Sequence, residues 1–141
     1  MQQTKDQLNI FFEQGLPGFE GLRNFLISRP FDDSPFYYLQ SAEVDDVCFL
    51  LLNPFEITQS YEFDLPVPVQ EMLEIKATSD IAVFNIVNVQ KDLASATVNL
   101  QAPVVINVNK SKCMQVVLND PSLSIREPLK NLLQGKVGRG C

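Results

Sequence analysis

Few side chains in this sequence could act as nucleophiles, bases or metal ligands. The 141 residues include no histidine, so nothing titrates near neutral pH unless a carboxylate, a lysine or a cysteine is strongly shifted. That excludes Ser–His and Cys–His catalytic pairs and most zinc sites. The three cysteines, Cys48, Cys113 and Cys141, are too widely separated for a disulfide framework or a zinc knuckle. We therefore expect a protein that is not an enzyme, holds no metal or cofactor and keeps its thiols reduced.

Three other sets of residues could form a site, and each has a simpler explanation. Five carboxylates fall in two predicted loops: Asp32, Asp33, Glu43, Asp45 and Asp46. They lack the spacing of a calcium-binding loop, so solvated turns are favoured. The aromatic residues 36–38 could stack on a ligand, but such a cluster in a strand more often packs within the sheet. Gly15, Gly18 and Gly21 precede no helix of a βαβ unit, and we interpret them as turn glycines.

The clearest pattern lies in residues 96–107, ATVNLQAPVVIN. With a period of two, one set of side chains is apolar and is predicted to face a core: Val98, Leu100, Ala102, Val104, Ile106 and Val108. The alternate set presents mainly amides, a hydroxyl and a β-branched side chain to the other face: Thr97, Asn99, Gln101, Pro103, Val105 and Asn107. Periodicity alone predicts no more than a half-solvated antiparallel strand here.

The rest of the chain is predicted to supply short strands around this segment. Alternating or apolar runs bounded by turn residues predict strands at residues 7–13, 24–28, 36–40, 47–53, 81–89 and 113–118. Residues 47–53 and 81–89 are apolar on both faces. These two strands should therefore be central in the sheet or covered by a partner.

Two short helices complete the prediction. The first covers residues 69–73, where apolar side chains recur at helical spacing. The second begins with Pro128 at its first helical position, and Gly135 is expected to end it. Three of its leucines should face the core: Leu129, Leu132 and Leu133. Residues 136–141 are predicted to be a flexible tail.

These elements predict one all-β domain over residues 1–135, mainly antiparallel, forming a small barrel or a sandwich with two short helices. A chain of this length with 45% hydrophobic residues can bury one core. Its longest uninterrupted apolar run, residues 47–52, is far below the roughly 20 residues needed to span a bilayer. The first residues lack the basic start and apolar stretch of a secretory signal, so a cytoplasmic protein is expected.

The net charge of −6 bears on the kind of partner. It disfavours direct binding to nucleic acid or to an anionic membrane, because phosphate contacts come from lysine and arginine. An acidic surface suits a basic partner, or simply solubility.

Five segments resemble, in the same order, those of the FliW family of flagellar assembly factors. Residues 96–107, together with the short strand at 113–118 that follows them, form one of the five and are similar to its T-x-N-L-x-A-P-x-V-I-N signature. Residues 15–22 (GLPGFEGL) resemble its G-[IL]-P-G-F-x-x-L turn, and residues 61–66 (YEFDLP) its Y-x-F-x-[IL]-P segment. Residues 36–41 (FYYLQS), leading into Asp45 and Asp46, and residues 126–129 (REPL) also match.

This resemblance implies a barrel-like antiparallel β fold and a regulator that works by binding other proteins. It implies that the chain binds flagellin in the cytoplasm and, when flagellin has been exported, binds and antagonises the RNA-binding translational repressor CsrA. It also places the binding surface on the outer face of the 97–107 strand, at Thr97, Asn99, Gln101, Val105 and Asn107. The acidic loop at residues 43–46 is the next candidate. We expect a monomer when the protein is free.

Two alternatives stay open at this point: a small-ligand-binding β-barrel, and a chaperone for another secreted subunit. The barrel interior distinguishes the first of them. A ligand carrier should contain a sizeable pocket with a few convergent polar groups, whereas an adaptor of this size should be filled with apolar side chains.

Overall fold

The computed structural model describes residues 7–58 and 61–138. Within these residues the chain forms nine strands and two α-helices. The strands are β1 (Gln7–Phe12), β2 (Asn24–Ser28), β3 (Phe36–Ser41), β4 (Cys48–Leu52), β5 (Ile81–Asn88), β6 (Thr97–Val98), β7 (Val104–Asn107), β8 (Lys112–Gln115) and β9 (Glu127–Pro128). The helices are α1 (Val67–Met72) and α2 (Leu129–Gly138).

Seven of the strands close into a barrel. Their order is β4-β3-β2-β1-β8-β7-β5, and β5 pairs back onto β4. Every pairing in the ring is antiparallel except that of β1 with β8, which is parallel. Closure removes the unpaired edges that an open sheet of this size would expose. The predicted all-β, mainly antiparallel class is confirmed, and the architecture is the barrel rather than the sandwich.

Apolar side chains fill the interior of the barrel. The buried members of this cluster come from all seven strands of the barrel and from the turn after β1: Ile10, Phe12, Leu16, Phe25, Ile27, Leu39, Leu51, Phe84, Val104, Ile106 and Cys113. Phe12 and Phe25 pack edge to face, with ring centroids 5.1 Å apart. As far as the described residues show, the interior is thus filled with apolar side chains, as expected of an adaptor, and no polar groups converge in it as they would in a ligand carrier.

Two further apolar layers lie outside the barrel wall. One packs the ends of β4 and β5 and strand β6 beneath α2, through Leu52, Val87, Val98 and Leu129. The other packs β7 and β8 against the end of α1; its buried members are Leu73, Val105, Met114, Val116 and Leu118. These layers explain why the sequences of β4 and β5 are apolar on both faces, because each strand has the lumen on one side and a layer on the other.

Several predicted boundaries were wrong. α2 begins at Leu129, directly after Pro128, because Pro128 pairs with Thr97 and is held in β9. The helix also continues through Gly135 to Gly138, since glycine in a helix costs only about 1 kcal/mol relative to alanine. Leu129 is buried and Leu132 packs on the layer beneath α2, whereas Leu133 is exposed.

The other differences are small. The strand predicted at residues 113–118 is β8, which ends at Gln115. Of the predicted flexible tail, residues 136–138 are helical, and residues 139–141 lie outside the described residues. No helix in the described part of the chain is both long and apolar enough to cross a lipid bilayer.

Candidate partner-binding site

The segment predicted as one strand over residues 97–107 is broken in its middle. β6 ends at Val98 and β7 begins at Val104. Between them, the side-chain oxygen of Asn99 accepts hydrogen bonds from the N–H groups of Gln101, at 3.0 Å, and Ala102, at 3.1 Å. This Asx turn competes with the sheet ladder for the backbone, so the chain leaves the sheet there. The side-chain amide of Gln101 donates to the carbonyl oxygen of Asp120, at 2.9 Å.

In β7 the predicted alternation is confirmed, but its outer face is covered. Val104 and Ile106 point into the lumen. Val105 and Asn107, predicted to be exposed, are 0% and 1% exposed because the end of α1 and the turn after it pack on them. Asn107 Nδ2 donates to the carbonyl oxygens of Leu73, at 2.7 Å, and Glu74, at 3.1 Å. The predicted exposed face is therefore wrong for Val105 and Asn107.

Of the other members of that face, Pro103 is also buried, and Thr97, Asn99 and Gln101 are half-buried. Thr97 lies between its ladder partners Asn88 and Pro128. Asn99 and Gln101 use their amides within the fold, as described above. A partner contact at Thr97, Asn99 and Gln101 stays a prediction. Val108, predicted to face the core, is exposed because β7 ends at Asn107.

The acidic loop at residues 43–46 is partly structural. Glu43 Oε2 accepts hydrogen bonds from the backbone N–H groups of Arg23 and Asn24, both at 2.9 Å. These bonds, that from Asn24 first, hold the pKa of the Glu43 carboxyl below its usual value. Asp45 and Asp46 are exposed. Among the described residues, no group of three or more His, Cys, Asp or Glu side chains is placed to hold a metal ion.

Two of the three aromatic residues at 36–38 pack within the fold, as favoured, whereas Tyr38 is 44% exposed, and the glycines lie in the turn after β1. Tyr37 packs edge to face on Phe84, with ring centroids 4.8 Å apart, and Phe36 packs on the layer beneath α2. Gly15 and Gly18 adopt positive φ angles of 72° and 87° in the turn after β1. A Cβ at Gly15 would also stand 2.5 Å from the carbonyl oxygen of Glu20, so only glycine fits there.

An open groove of about 1390 Å³ lies outside the barrel wall, and we call it the outer groove. Its floor comes from the outward faces of β5 and β7, at Ile81, Val83 and Val105. Its sides are residues 61–66, residues 75–78 and residues 117–120. Because the lumen-facing neighbours of these floor residues belong to the filled core, the groove is separate from the barrel interior.

One side of the outer groove is a row of aromatic rings. Phe55 and Tyr61 have centroids 6.0 Å apart, and Tyr61 and Phe63 are 5.4 Å apart. The Tyr61 hydroxyl donates to the carbonyl oxygen of Leu100, at 2.6 Å, and accepts from the side-chain amide of Asn85, at 3.3 Å. Burial raises the pKa of Tyr61, so the phenol stays neutral. The segments that carry Tyr61 and Leu100 are thus joined by a hydrogen bond.

The rim of the outer groove is acidic. Residues 61–66 alternate, with Tyr61, Phe63 and Leu65 packed inward and Glu62 and Asp64 exposed. Asp120 adds a third carboxylate on the opposite side, and Lys76 is the cationic side chain among the lining residues. Hydrogen bonds from Ser122 hold the pKa of Asp120 below its usual value. The described lining therefore carries a net charge of −2 around an apolar floor.

The sequence pointed to some of the segments that line the outer groove, but not to the groove that they form together. Residues 61–66 were recognised only as a motif, although their period-two alternation of apolar and acidic residues was visible. The floor could not be found, because Ile81 and Val83 belong to a strand that reads as buried on both faces. Only the course of the chain after β4 and after β8 brings the two sides together.

Comparison with known proteins agrees with this architecture. The chain matches the model of one protein family, described as FliW protein, over residues 1–129. It is 49% identical over 128 residues to the flagellar assembly factor FliW of Caldicellulosiruptor saccharolyticus, covering 91% of this chain and 84% of that protein. It is 35% identical over 125 residues to that of Bacillus subtilis, covering 89% and 87%.

A solved structure is similar in fold as well as in sequence. A crystal structure of the flagellar assembly factor FliW superposes with a TM-score of 0.79 at 35% identity, covering 92% of this chain and 89% of that chain. The family match extends over nearly the whole barrel and its outer layers. The chain described above therefore belongs to the FliW family of flagellar assembly factors.

Proposed function

We propose that the protein acts in flagellar assembly as a cytoplasmic binding protein for flagellin and that, when flagellin has been exported, it binds and antagonises CsrA. The observation that carries this proposal is the contrast between a filled barrel and an open, apolar, acid-rimmed groove on its outer wall. Such a surface suits a macromolecular partner, whereas a carrier of small ligands needs an enclosed pocket. Family membership supplies the biological setting.

The proposed switch has a thermodynamic condition. Flagellin and CsrA must exclude each other, because a ligand shifts an equilibrium only by its differential affinity for the two states. Export of flagellin then frees the protein for CsrA. If the acidic surface lies beside the RNA-binding surface of CsrA in the complex, its charges repel RNA phosphates over a Debye length of about 8 to 10 Å. Antagonism then requires no overlap with the RNA footprint.

The test is a competition measured with purified proteins. The protein is titrated calorimetrically with flagellin and with CsrA separately, and then with CsrA in the presence of excess flagellin. We expect a complex with each partner and loss of the CsrA complex when flagellin is added. Binding of neither partner would refute the proposal. A pull-down from the source bacterium that recovers a different secreted subunit in place of flagellin would favour the chaperone alternative.

A further inference from the structure

We propose that the outer groove binds a basic, amphipathic peptide segment of a protein partner. The apolar side chains of that segment contact the groove floor, and its lysine or arginine side chains contact the acidic rim. This inference rests on the proposed function, because it assigns the partner-binding role to one surface. It differs from the predicted contact at Val105, since that side chain is buried beneath the groove, and it leaves the predicted contacts at Thr97, Asn99 and Gln101 untested.

Two polar side chains of the groove, Tyr61 and Gln70, are already hydrogen-bonded within the fold and so are less suited to orienting a small ligand. The Tyr61 hydroxyl is bonded to Leu100, and the side-chain amide of Gln70 donates to the carbonyl oxygen of Leu65 at 2.7 Å. Small-molecule sites fix their ligand with a few convergent polar groups, and here these two are already used within the fold. At about 1390 Å³ the groove also exceeds the usual range of about 300 to 1,000 Å³ for such sites. A peptide segment suits the shape better.

The exposed apolar side chains of the groove provide the contact surface for the apolar face of that segment. Val117, at the edge of the groove, is 62% exposed, and Phe55, at one end of the aromatic row, is 50% exposed. Exposed apolar side chains that line one groove and are rimmed by polar residues are typical of a protein-binding site. Covering them removes apolar area from water, at about 25 cal/mol per Å² before the costs of association.

The charges then select the sign of the partner. Glu62 and Asp64 stand on the aromatic side of the groove and Asp120 on the other, against the single lysine of the lining, Lys76. The aliphatic stem of a lysine or arginine can lie along the accessible rings of Phe55 and Phe63 while its charged end reaches one of these carboxylates. An acidic segment would meet like charges on both sides. Charge complementarity therefore favours a segment of net positive charge.

The experiment uses two synthetic peptides as probes, each about 15 residues long, or about four helical turns. One is an amphipathic peptide of leucine and lysine, and the other has glutamate in place of lysine. Binding to the full chain is followed by fluorescence anisotropy at several salt concentrations. We expect the leucine–lysine peptide to bind with an affinity that falls as salt rises, and the leucine–glutamate peptide not to bind.

Two charge-reversal variants locate the site. Glu62→Lys with Asp64→Lys changes the groove rim, and Asp45→Lys with Asp46→Lys changes the loop between β3 and β4. Each lysine for carboxylate raises the net charge by two, so both double variants carry −2 in place of −6. The loop between β3 and β4 is remote from the groove floor. It leads into β4, which pairs with β5 at Val87. Val87 is four residues from Val83 of the floor, or about 13 Å along the strand at about 3.3 Å per residue. No residue of the loop lines the groove.

We expect the rim variant to lose about tenfold in affinity for the leucine–lysine peptide and the loop variant to lose less than about threefold, because surface charges act over about one Debye length. The uncharged change Val117→Ser should also weaken binding, through lost apolar contact. Equal losses in the two double variants, or no binding to the wild type, would overturn the inference.

Titration of the same variants with flagellin and CsrA separates this inference from the proposed function. If the wild-type protein binds neither partner, the proposed function fails. If the wild type binds a partner and the rim variant binds it equally well, the function stands and the groove assignment is wrong. Loss of partner binding in the rim variant alone supports both.

Discussion

Val105 and Val117 are two valines at the same groove with opposite environments. Val105 is 0% exposed among Leu73, Met114 and Val116, whereas Val117 is 62% exposed. Val105→Asp places a carboxylate among apolar side chains, which should lower the free energy of unfolding by about 3 kcal/mol or more. Val117→Asp should change it by less than about 0.5 kcal/mol, as is usual at surface positions. Urea unfolding of both variants measures the difference, and equal stabilities would contradict the burial of Val105.

The two described cysteines should differ in reactivity for a similar reason. Cys113 lies in the lumen, where burial raises the pKa of its thiol well above the usual range, and Cys48 is exposed on β4 with its pKa raised less strongly by partial burial. Both thiols are therefore largely protonated at neutral pH, and access decides the rate. We expect iodoacetamide to modify Cys48 in the folded protein and Cys113 only after unfolding. Peptide mapping by mass spectrometry reads this out, and equal labelling of the two in the native state would contradict it.

At the residue scale, the sequence could predict which side chains of β7 face the core, but not whether the opposite face is covered by another part of the chain. The period of two correctly assigned Val104 and Ile106 to the core. It could not show that the opposite face of β7 is also buried, because the covering residue Leu73 is distant in sequence. The amide of Asn107 looked like a surface donor for the same reason. Its partners are the carbonyl oxygens of Leu73 and Glu74, which only the path of the chain brings near.

Glu43 links two elements and should make the stability of the protein depend on pH. Its carboxylate ties the loop between β3 and β4 to the start of β2, and its pKa is lowered in the folded state by those backbone hydrogen bonds. A lowered carboxyl pKa gives stability that is present above the unfolded value of about 4.5 and is lost as pH falls through the folded value. Glu74, paired with Lys112, and Asp120 have pKa values shifted in the same direction.

We therefore expect the free energy of unfolding to decrease as pH falls from about 5 towards about 3. Glu43→Gln keeps an acceptor oxygen but removes the titration, so its unfolding free energy should decrease less steeply over that range. Urea unfolding at a series of pH values compares the variant with the wild type. Identical pH dependence in the two proteins would show that the Glu43 hydrogen bonds do not contribute to acid stability.

At the element scale, the strong patterns were the reliable ones. The strands at residues 7–13, 24–28 and 81–89 appear as β1, β2 and β5 within one residue of their predicted ends. The prediction of one long strand at residues 97–107 was wrong because the Asx turn at Asn99 interrupts it, and the regular apolar pattern gives no sign of that turn. Pro128 was assigned to α2 rather than β9, since its pairing with Thr97 joins residues far apart in sequence.

At the scale of the whole molecule, closure of the barrel creates the outer wall on which the proposed binding surface lies. β5 pairs with β4 and β7, and these pairings close the barrel. It also pairs with β6. One face of β5 therefore lines the lumen, and the outer layers pack on its other face. Composition could predict one filled core, but the two outer layers and the outer groove, which borders the layer at the end of α1, follow from the course of the loops. The filled interior and the two outer layers provide stability, and the part of the outer wall that they leave open is the surface proposed here for partners.

The charge of the whole molecule leads to the last prediction, which concerns RNA. The chain has 11 lysine and arginine residues against 17 aspartate and glutamate residues. Lys112 is also paired with Glu74 and with Glu13, the latter at 3.3 Å, so part of the positive charge is already engaged. RNA affinity requires several phosphate contacts from lysine and arginine. We therefore expect the protein to show no salt-dependent affinity for RNA, yet to release RNA from CsrA.

A gel-shift titration with an RNA that CsrA binds measures both halves of this prediction. CsrA alone should retard the RNA, and added protein should progressively restore its free mobility. Excess flagellin is the control, because it should occupy the protein and return the RNA to CsrA. Retardation of RNA by the protein alone at physiological salt would contradict the charge argument, since the only attraction left would be a local basic track. Unchanged retardation by CsrA would instead contradict antagonism and leave flagellin as the sole partner in the proposal.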